Sequence, residues 1–140
     1  MVASAENQVR AKTADSEKVT INLGFVDLGQ IDLLVRDGFY ANRTDFIRTA
    51  IRNQLGRHEQ AVQSAILRKK LDLGLHRYGR ADLQAVRERG EILEIQVLGL
   101  VTIADDVTPE LALQTIGSIR VLGALHAPAD VRAALGPRIQ

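Results

Sequence analysis

The chain has 140 residues, a formal net charge of +1, 46% hydrophobic residues and 25% charged residues. These proportions are typical of a folded globular protein and exclude wholesale disorder, and the absence of cysteine excludes disulfides and thiol chemistry. No apolar run approaches the roughly 18 residues of a transmembrane helix, and the first residues lack an apolar core of signal-peptide length. We therefore expect a cytoplasmic protein without a membrane partner.

The charges are unevenly distributed along the chain. Residues 1–80 contain 13 Lys/Arg and 9 Asp/Glu, whereas residues 81–140 contain 5 and 8. The most basic segment is 43–80, with 9 Lys/Arg against 3 Asp/Glu. A basic first half favours a polyanionic partner, and an acidic second half favours a different task. Two ordinary solvated surfaces would explain the same counts.

The first regular pattern is a strict alternation of apolar and polar residues at 18–23. Residues 1–16 before it are small and polar, and they predict a flexible arm. Because side chains alternate across a strand, the pattern predicts a strand with one apolar and one polar face. The apolar residues are Val19, Ile21 and Leu23, and the polar residues are Lys18, Thr20 and Asn22.

Two helices are predicted after the strand. Apolar residues recur at three- and four-residue steps over 26–37, and Gly38 indicates the end of that helix. The side chain of Asn42 can accept a hydrogen bond from the amide of Asp45, whose carboxylate can reach back, so a second helix is predicted to begin here. Its predicted buried stripe is Phe46, Ile47, Ala50, Ile51 and Leu55.

One strand and two helices cannot close a hydrophobic core, because the strand has two unpaired edges. The simplest remedy is a homodimer in which two copies of residues 18–23 pair antiparallel about a two-fold axis. The helices would then cover the apolar face of this ribbon. The polar face would project outward, and a two-stranded ribbon fits the major groove of B-form DNA.

The stretch Lys18–Leu55 resembles a ribbon-helix-helix DNA-binding domain, in its strand KVTINL, its helix end RDGFY and its turn into NRTDFIRTAIRNQL. The resemblance implies an obligate homodimer on double-stranded DNA, with strand side chains in the major groove and the second helix on phosphate. Gly24 stands where members often have proline, which leaves the strand exit less rigid. By position, the implied base readers are Lys18, Thr20 and Asn22, and the implied phosphate-binding residues are Asn42, Arg43 and Thr44.

Further basic residues follow within a helical pattern that continues through 58–70. Arg48, Lys69 and Lys70 are candidates for additional phosphate contacts. For Arg48 and Arg52 a solvated helix face is the favoured interpretation, and for the two lysines a solvated helix end is favoured, with phosphate contact as the alternative. We place the DNA-binding and dimerisation domain at 17–70.

The C-terminal third contains an internal repeat with a period of 24 residues. The segment from Ile95 to Ile103 returns as Ile119 to Ala127, with a glycine at the same place in each copy. Each unit predicts two short strands hinged at the glycine, then a helical turn opened by Asp106 or Asp130. The apolar strand residues lack neighbours within two units, so we expect them to be buried between chains. They are Ile95, Val97, Val101, Ile119, Val121 and Leu125.

The overall expectation is an α+β protein with a small β-rich C-terminal domain. The turn-rich segment 71–91, which contains Gly74 and Gly79, is interpreted as a connection with a short helix at 81–89. Residues 92–140 are interpreted as the repeat domain, which joins dimers into higher oligomers or holds a small-molecule effector. A degenerate third unit near 71–83 matches poorly.

No sequence pattern supports catalysis. The three histidines are too far apart for a zinc site, and no Walker loop, GxGxxG loop or nucleophile elbow is present. We expect no cofactor, no metal and no enzymatic activity. The favoured function is a sequence-specific transcriptional regulator that acts as a repressor. A self-assembling scaffold, or a plasmid partition, relaxosome or antitoxin protein, remains the alternative.

Overall fold

The computed structural model describes residues 16–140, and within them the chain divides into two compact units. The first unit is Ser16–Ala65 and the second is Ile66–Gln140. The predicted flexible arm lies almost entirely outside the described residues.

The first unit consists of an irregular segment followed by helices. Helix α1 spans Phe25–Arg36, α2 spans Arg43–Arg57, and α3, at Glu59–Lys69, crosses the boundary between the units. Gly38 adopts a φ of 85°, and the amide of Phe39 donates to the carbonyl of Leu34, so α1 ends as the sequence predicts. Helices α1 and α2 pack on each other around buried Ile31, next to an edge-to-face contact of Tyr40 with Phe46 at 5.0 Å.

Much of the apolar surface of this unit has no partner within residues 16–140 of the single chain. The predicted buried stripe of α2 is not covered within one chain, where none of its residues is buried and Ile51 and Leu55 are more than half exposed, so its burial in a dimer stays a prediction. Residues 16–24 form no hydrogen-bonded strand in the single chain, and Val19 is 78% exposed. The predicted ribbon needs a second chain, so it stays a prediction. Other exposed apolar side chains of the unit are Phe25, Val26, Leu33 and Phe39.

The second unit is a three-stranded parallel sheet in the order β1-β2-β3. Strand β1 is Asp72–Tyr78, β2 is Leu93–Ile103 and β3 is Ile116–His126. Each strand is followed by a helix: α4 at Arg80–Glu88, α5 at Pro109–Thr115 and α6 at Ala129–Leu135. A short 3₁₀ turn, Gly136–Arg138, follows α6, and Gln140 then donates its amide to the carbonyl of Ile119 at the outer edge of β3.

All three helices pack on the same face of this sheet. Alternate strand residues, whose side chains point to the helical face, pack with Leu83, Leu111, Val131 and Leu135 from the helices in a single core. The repeat residues Ile95, Val97, Val101 and Ile119 are buried in this core, and Val121 and Leu125 pack against it. The expectation that they are buried between chains is therefore wrong, because the helices of the same chain cover them.

A row of three glycines crosses the middle of the sheet. Gly74 is paired with Gly99 and Gly99 with Gly123, and each has a φ between 128° and 141°. A Cβ atom at Gly99 would overlap the carbonyl oxygen of Gly74, and one at Gly123 would overlap that of Gly99. Gly99 and Gly123 therefore require glycine both for the backbone conformation and for the close approach of the neighbouring strand, whereas Gly74 requires it for the backbone conformation alone. In the same register, Ile95 is opposite Ile119 and Val97 is opposite Val121.

Three local predictions for the second unit are wrong. Residues 72–78, predicted to be a turn-rich connection, form strand β1, because the positive φ of Gly74 matches that of Gly99 across an unbroken register. The predicted pairs of short strands are single strands that continue through the glycines. Asp106 does not cap α5, since the hydroxyl of Thr108 accepts from the amide of Leu111, and Asp106 instead accepts from the amide of Arg80 in α4. Helix α6 likewise follows Pro128 rather than an Asp130 cap.

We expect Gly99→Ala to destabilise the second unit by about 2 kcal/mol or more. The substitution combines an unfavourable φ with a steric clash against the backbone of β1. The matched control is Gly136→Ala, because Gly136 has a helical φ of −41° and a Cβ atom there would meet nothing within 4 Å. Urea unfolding followed by circular dichroism measures both variants, and equal stability of the two would contradict the role given to the glycine row.

Candidate nucleic-acid interface

The start of α2 is organised by two side chains that cap its first turn. The Oδ1 of Asn42 accepts from the amide of Asp45 at 2.8 Å, as the sequence predicts. The carboxylate of Asp45 reaches back to the amide of Ala41 at 2.9 Å, one residue before the expected partner. The amides of Arg43 and Thr44 in the first turn precede the residues that can donate within the helix, so this end of α2 carries the positive end of the helix dipole.

A shallow groove runs along α2 from this end. It brings together three residues that the sequence analysis gave as candidates for phosphate contacts, Asn42, Thr44 and Arg48, and it includes Arg52 one turn further along. The groove is also lined by Ala41, Asp45 and Thr49. The carboxylate of Asp45 is already engaged by the backbone, and the two arginines supply cationic groups. Free amides and arginines along one face of a helix form an arrangement that can bind phosphate.

Arg43 points away from this groove and pairs with Asp32 of α1. Its Nε donates to Oδ1 of Asp32 at 2.7 Å, and its Nη2 donates to Oδ2 at 2.8 Å. The pKa of Asp32 is lowered, chiefly by the hydrogen bonds from Arg43, while desolvation acts in the opposite direction. The pKa of Arg43 is raised for the same reason. The pair ties α1 to the start of α2 and occupies one edge of the guanidinium group.

The remaining site residues of the sequence analysis lie elsewhere. Lys18, Thr20 and Asn22 are exposed in the irregular segment before α1. Lys69 and Lys70 lie at the end of α3 in the second unit, where Lys70 has a φ of 52° and the amide of Leu71 donates to the carbonyl of Ile66. The backbone of Lys70 therefore serves as the left-handed end of the helix.

Two residues of this surface were not assigned from sequence. Asp32 gave no local signal, because it lies 11 residues before Arg43 and the contact depends on how α1 and α2 pack. The spacing of Arg52 does indicate its position, since it follows Arg48 by four residues and Thr44 by eight and therefore lies on the same face of the helix. That spacing alone did not distinguish a phosphate-binding face from a solvated one.

Comparison with known families gives a match over most of the chain. Residues 14–132 match the model of the ribbon-helix-helix transcriptional regulator family. The chain belongs to this family. The match extends through β3 and into α6, so the second unit is part of the family's common length rather than an addition to it. A search of curated proteins and a search of solved structures found no match.

Family membership supports a DNA-binding regulator as the class of protein. Within 16–140, no helix is long and apolar enough to cross a membrane. The same part of the chain contains no group of three or more His, Asp or Glu side chains placed to hold a metal ion.

We expect Asp32→Asn to strengthen binding to DNA of any sequence and to steepen its salt dependence by about one unit. Loss of the carboxylate removes a negative charge and frees the second edge of the Arg43 guanidinium for phosphate. Asp37→Asn is the control, because it removes the same charge from the C-cap of α1, one turn after Asp32. Titration of a labelled duplex at several salt concentrations measures both variants. If Asp32→Asn behaves like Asp37→Asn, Arg43 does not reach DNA.

The same pair predicts a pH dependence of stability. A carboxylate whose pKa is lowered on folding stabilises the protein above its unfolded pKa, and this contribution is lost as pH falls through the lower, folded value. We therefore expect the melting temperature of the wild type to fall more on acidification than that of Asp32→Asn. The difference should be small and should shrink in high salt, because both side chains are about half exposed. A wild type that loses less than the variant would contradict the assignment.

Proposed function

We propose that the protein is a homodimeric, sequence-specific regulator of transcription that inserts a two-stranded ribbon into the major groove of double-stranded DNA. Residues 18–23 of two chains form the ribbon, and Lys18, Thr20 and Asn22 read base edges. The start of α2 and its groove bind the flanking phosphates. Bound in this way over a promoter, the dimer acts as a repressor. The observation that carries the proposal is the family match over residues 14–132.

The unpartnered apolar surface of the first unit supports the dimer. Val19, Ile21 and Leu23 are exposed on the alternating segment, and Ile51 and Leu55 are exposed on α2. Burying a side chain of this size contributes roughly 1.5–3 kcal/mol, so pairing of two chains is strongly favoured over leaving these residues in water. A ribbon formed between chains would bury the apolar trio and leave the polar trio outside.

The polar trio has the chemistry for reading bases. An asparagine can make two hydrogen bonds to adenine, a lysine can donate to guanine, and threonine tolerates several partners. Two symmetry-related copies would present six such side chains on one face of the ribbon, which is enough for a short palindromic site.

The groove on α2 supports the phosphate contacts. Asn42 fixes the first turn, Thr44 supplies a hydroxyl, and Arg48 and Arg52 supply charge along one face. Arg43 contributes the edge of its guanidinium that Asp32 does not occupy. Lys69 and Lys70 are proposed as further phosphate contacts, because they lie at the basic end of α3, the helix that follows α2.

We expect Asn22→Ala and Arg48→Ala to weaken DNA binding in different ways. Loss of Asn22 should cost on the order of 1–3 kcal/mol on the preferred sequence and relax the sequence preference. Loss of Arg48 should weaken all sequences alike and reduce the salt slope by about one. The control is Arg57→Ala, which removes an arginine from the opposite end of α2, outside the groove. The proposed contacts are refuted if all three variants bind as the wild type does.

Selection of bound duplexes from a random pool, followed by mapping of the selected sequence in the source genome, tests the regulatory role. We expect one short palindrome that occurs at promoters. A site confined to a plasmid origin or centromere would contradict transcriptional control and favour a partition or relaxosome protein. Failure to select any sequence would favour the scaffold.

A further inference from the structure

The sheet of the second unit has a second face, which its helices do not cover. The intervening strand residues lie there, and they do not belong to the core. In the register of the sheet, Leu73, Leu98 and Leu122 form one row across the three strands. Leu75, Leu100 and Ala124 form the next apolar row, on the other side of the glycines. We call these six residues the leucine face.

The leucine face is exposed although it is largely aliphatic. Leu73 is 64% exposed, Leu75 is 65% exposed and Leu122 is 49% exposed. The charged residues on this side of the sheet lie beyond the two apolar rows, toward the strand ends, at Arg77 on β1, Glu94 on β2 and Arg120 on β3. An aliphatic centre with polar ends is the composition of a protein interface, and the centre carries no group that would recognise a charged partner.

We propose that the leucine face packs against the leucine face of a second copy of this chain within the same DNA-binding dimer. The inference rests on the proposed function, which places two copies together through the first unit. Sheets pack face to face about 10 Å apart with aliphatic side chains interdigitated. Because both rows cross all three strands, a two-fold axis places apolar side chains on apolar side chains whether the paired strands run parallel or antiparallel.

The size of the face identifies the second copy as the occupant. Six side chains on three strands offer a few hundred Å² at most, which is well below the roughly 800 Å² per partner that a stable complex buries. Association of free proteins through this face would therefore be weak. The second units of the two chains in one dimer are tethered to each other, so they meet at an effective concentration in about the millimolar range. At that concentration a small face is sufficient for them to associate.

Pairing of the leucine faces would couple the two ends of the molecule. Two chains that are joined through both units dissociate less readily than two chains joined through the ribbon alone. The face also gives the C-terminal unit a role within one dimer, in place of the joining of dimers that the sequence suggested. The joining of dimers was expected because the apolar repeat residues lacked neighbours, but the helices of their own chain bury these residues.

The test uses the full-length protein with one spin label per chain. The sequence has no cysteine, so His126→Cys supplies a single label site. His126 is the last residue of β3, and it is exposed and outside the leucine face. We expect pulsed electron paramagnetic resonance to give one narrow distance below about 40 Å between the two labels of a dimer. Adding Leu75→Lys and Leu122→Lys should broaden this distribution. The control is Leu113→Lys on α5, a partly exposed leucine on the helical side of the unit, which should leave it narrow.

Sedimentation and DNA titration of the same proteins separate this inference from the proposed function. Leu75 and Leu122 are exposed, so the double variant should remain folded, dimeric and able to bind a single DNA site. A dimer with a broad distance distribution before any lysine is introduced would overturn the pairing and leave the proposed function intact. A wild-type tetramer that the two lysines convert to a dimer would also overturn it, because the faces would then join separate dimers. A monomer at all concentrations would overturn both.

Discussion

An alternating segment that cannot be paired within its own chain is the constraint on which the rest of the molecule depends. Residues 18–23 present three apolar side chains to solvent, and the two helices that follow bury few of their own apolar residues. A single chain of this kind leaves the segment without a neighbouring strand and the aliphatic surface exposed to water. In the proposed dimer, a second copy would supply the neighbouring strand and cover the aliphatic surface, and the polar face would then point outward. Under this proposal, dimerisation and DNA recognition are two results of one pairing.

The ion pair between Asp32 and Arg43 shows how the interface is held in shape before any DNA is present. It links α1 to the first turn of α2, the turn whose amides and side chains face the groove. The pair also balances one arginine of a basic surface with a carboxylate. In the proposed complex, an acidic residue at this place would limit the affinity for DNA of any sequence, and it would also hold the helix that contacts the DNA backbone. Both effects would raise specificity, the ratio of affinity for the preferred sequence to affinity for other sequences.

The elements of the first unit follow closely from local signals in the sequence. The helix end at Gly38 and the cap at Asn42 appear as predicted, because each depends on residues a few positions apart. The Asp32 contact was missed because it depends on the packing of two helices. In the second unit, the 24-residue spacing was visible, but its meaning was misread. The sequence of β1 matches those of the other strands poorly. The correspondence of Gly74 with Gly99 is evident only in the sheet, where the two residues are paired.

Burial was the property that sequence predicted least well, for a physical reason. A periodic pattern identifies which side chains share a face, but it does not say which chain covers them. The apolar residues of β2 and β3 that were assigned to an interface between chains are covered by α4, α5 and α6. Those of α2 that were assigned to a buried stripe are partly or fully exposed in the single chain.

The pairing of residues 18–23 between two chains is the central claim, and amide hydrogen exchange at these residues tests it most directly. In an antiparallel two-stranded ribbon, alternate amides donate to the partner strand and the intervening ones face solvent. The account predicts that exchange is slow at every second residue of this segment at micromolar protein concentration, and that protection falls on dilution as the dimer dissociates. Uniformly fast exchange along the segment at every concentration would contradict it.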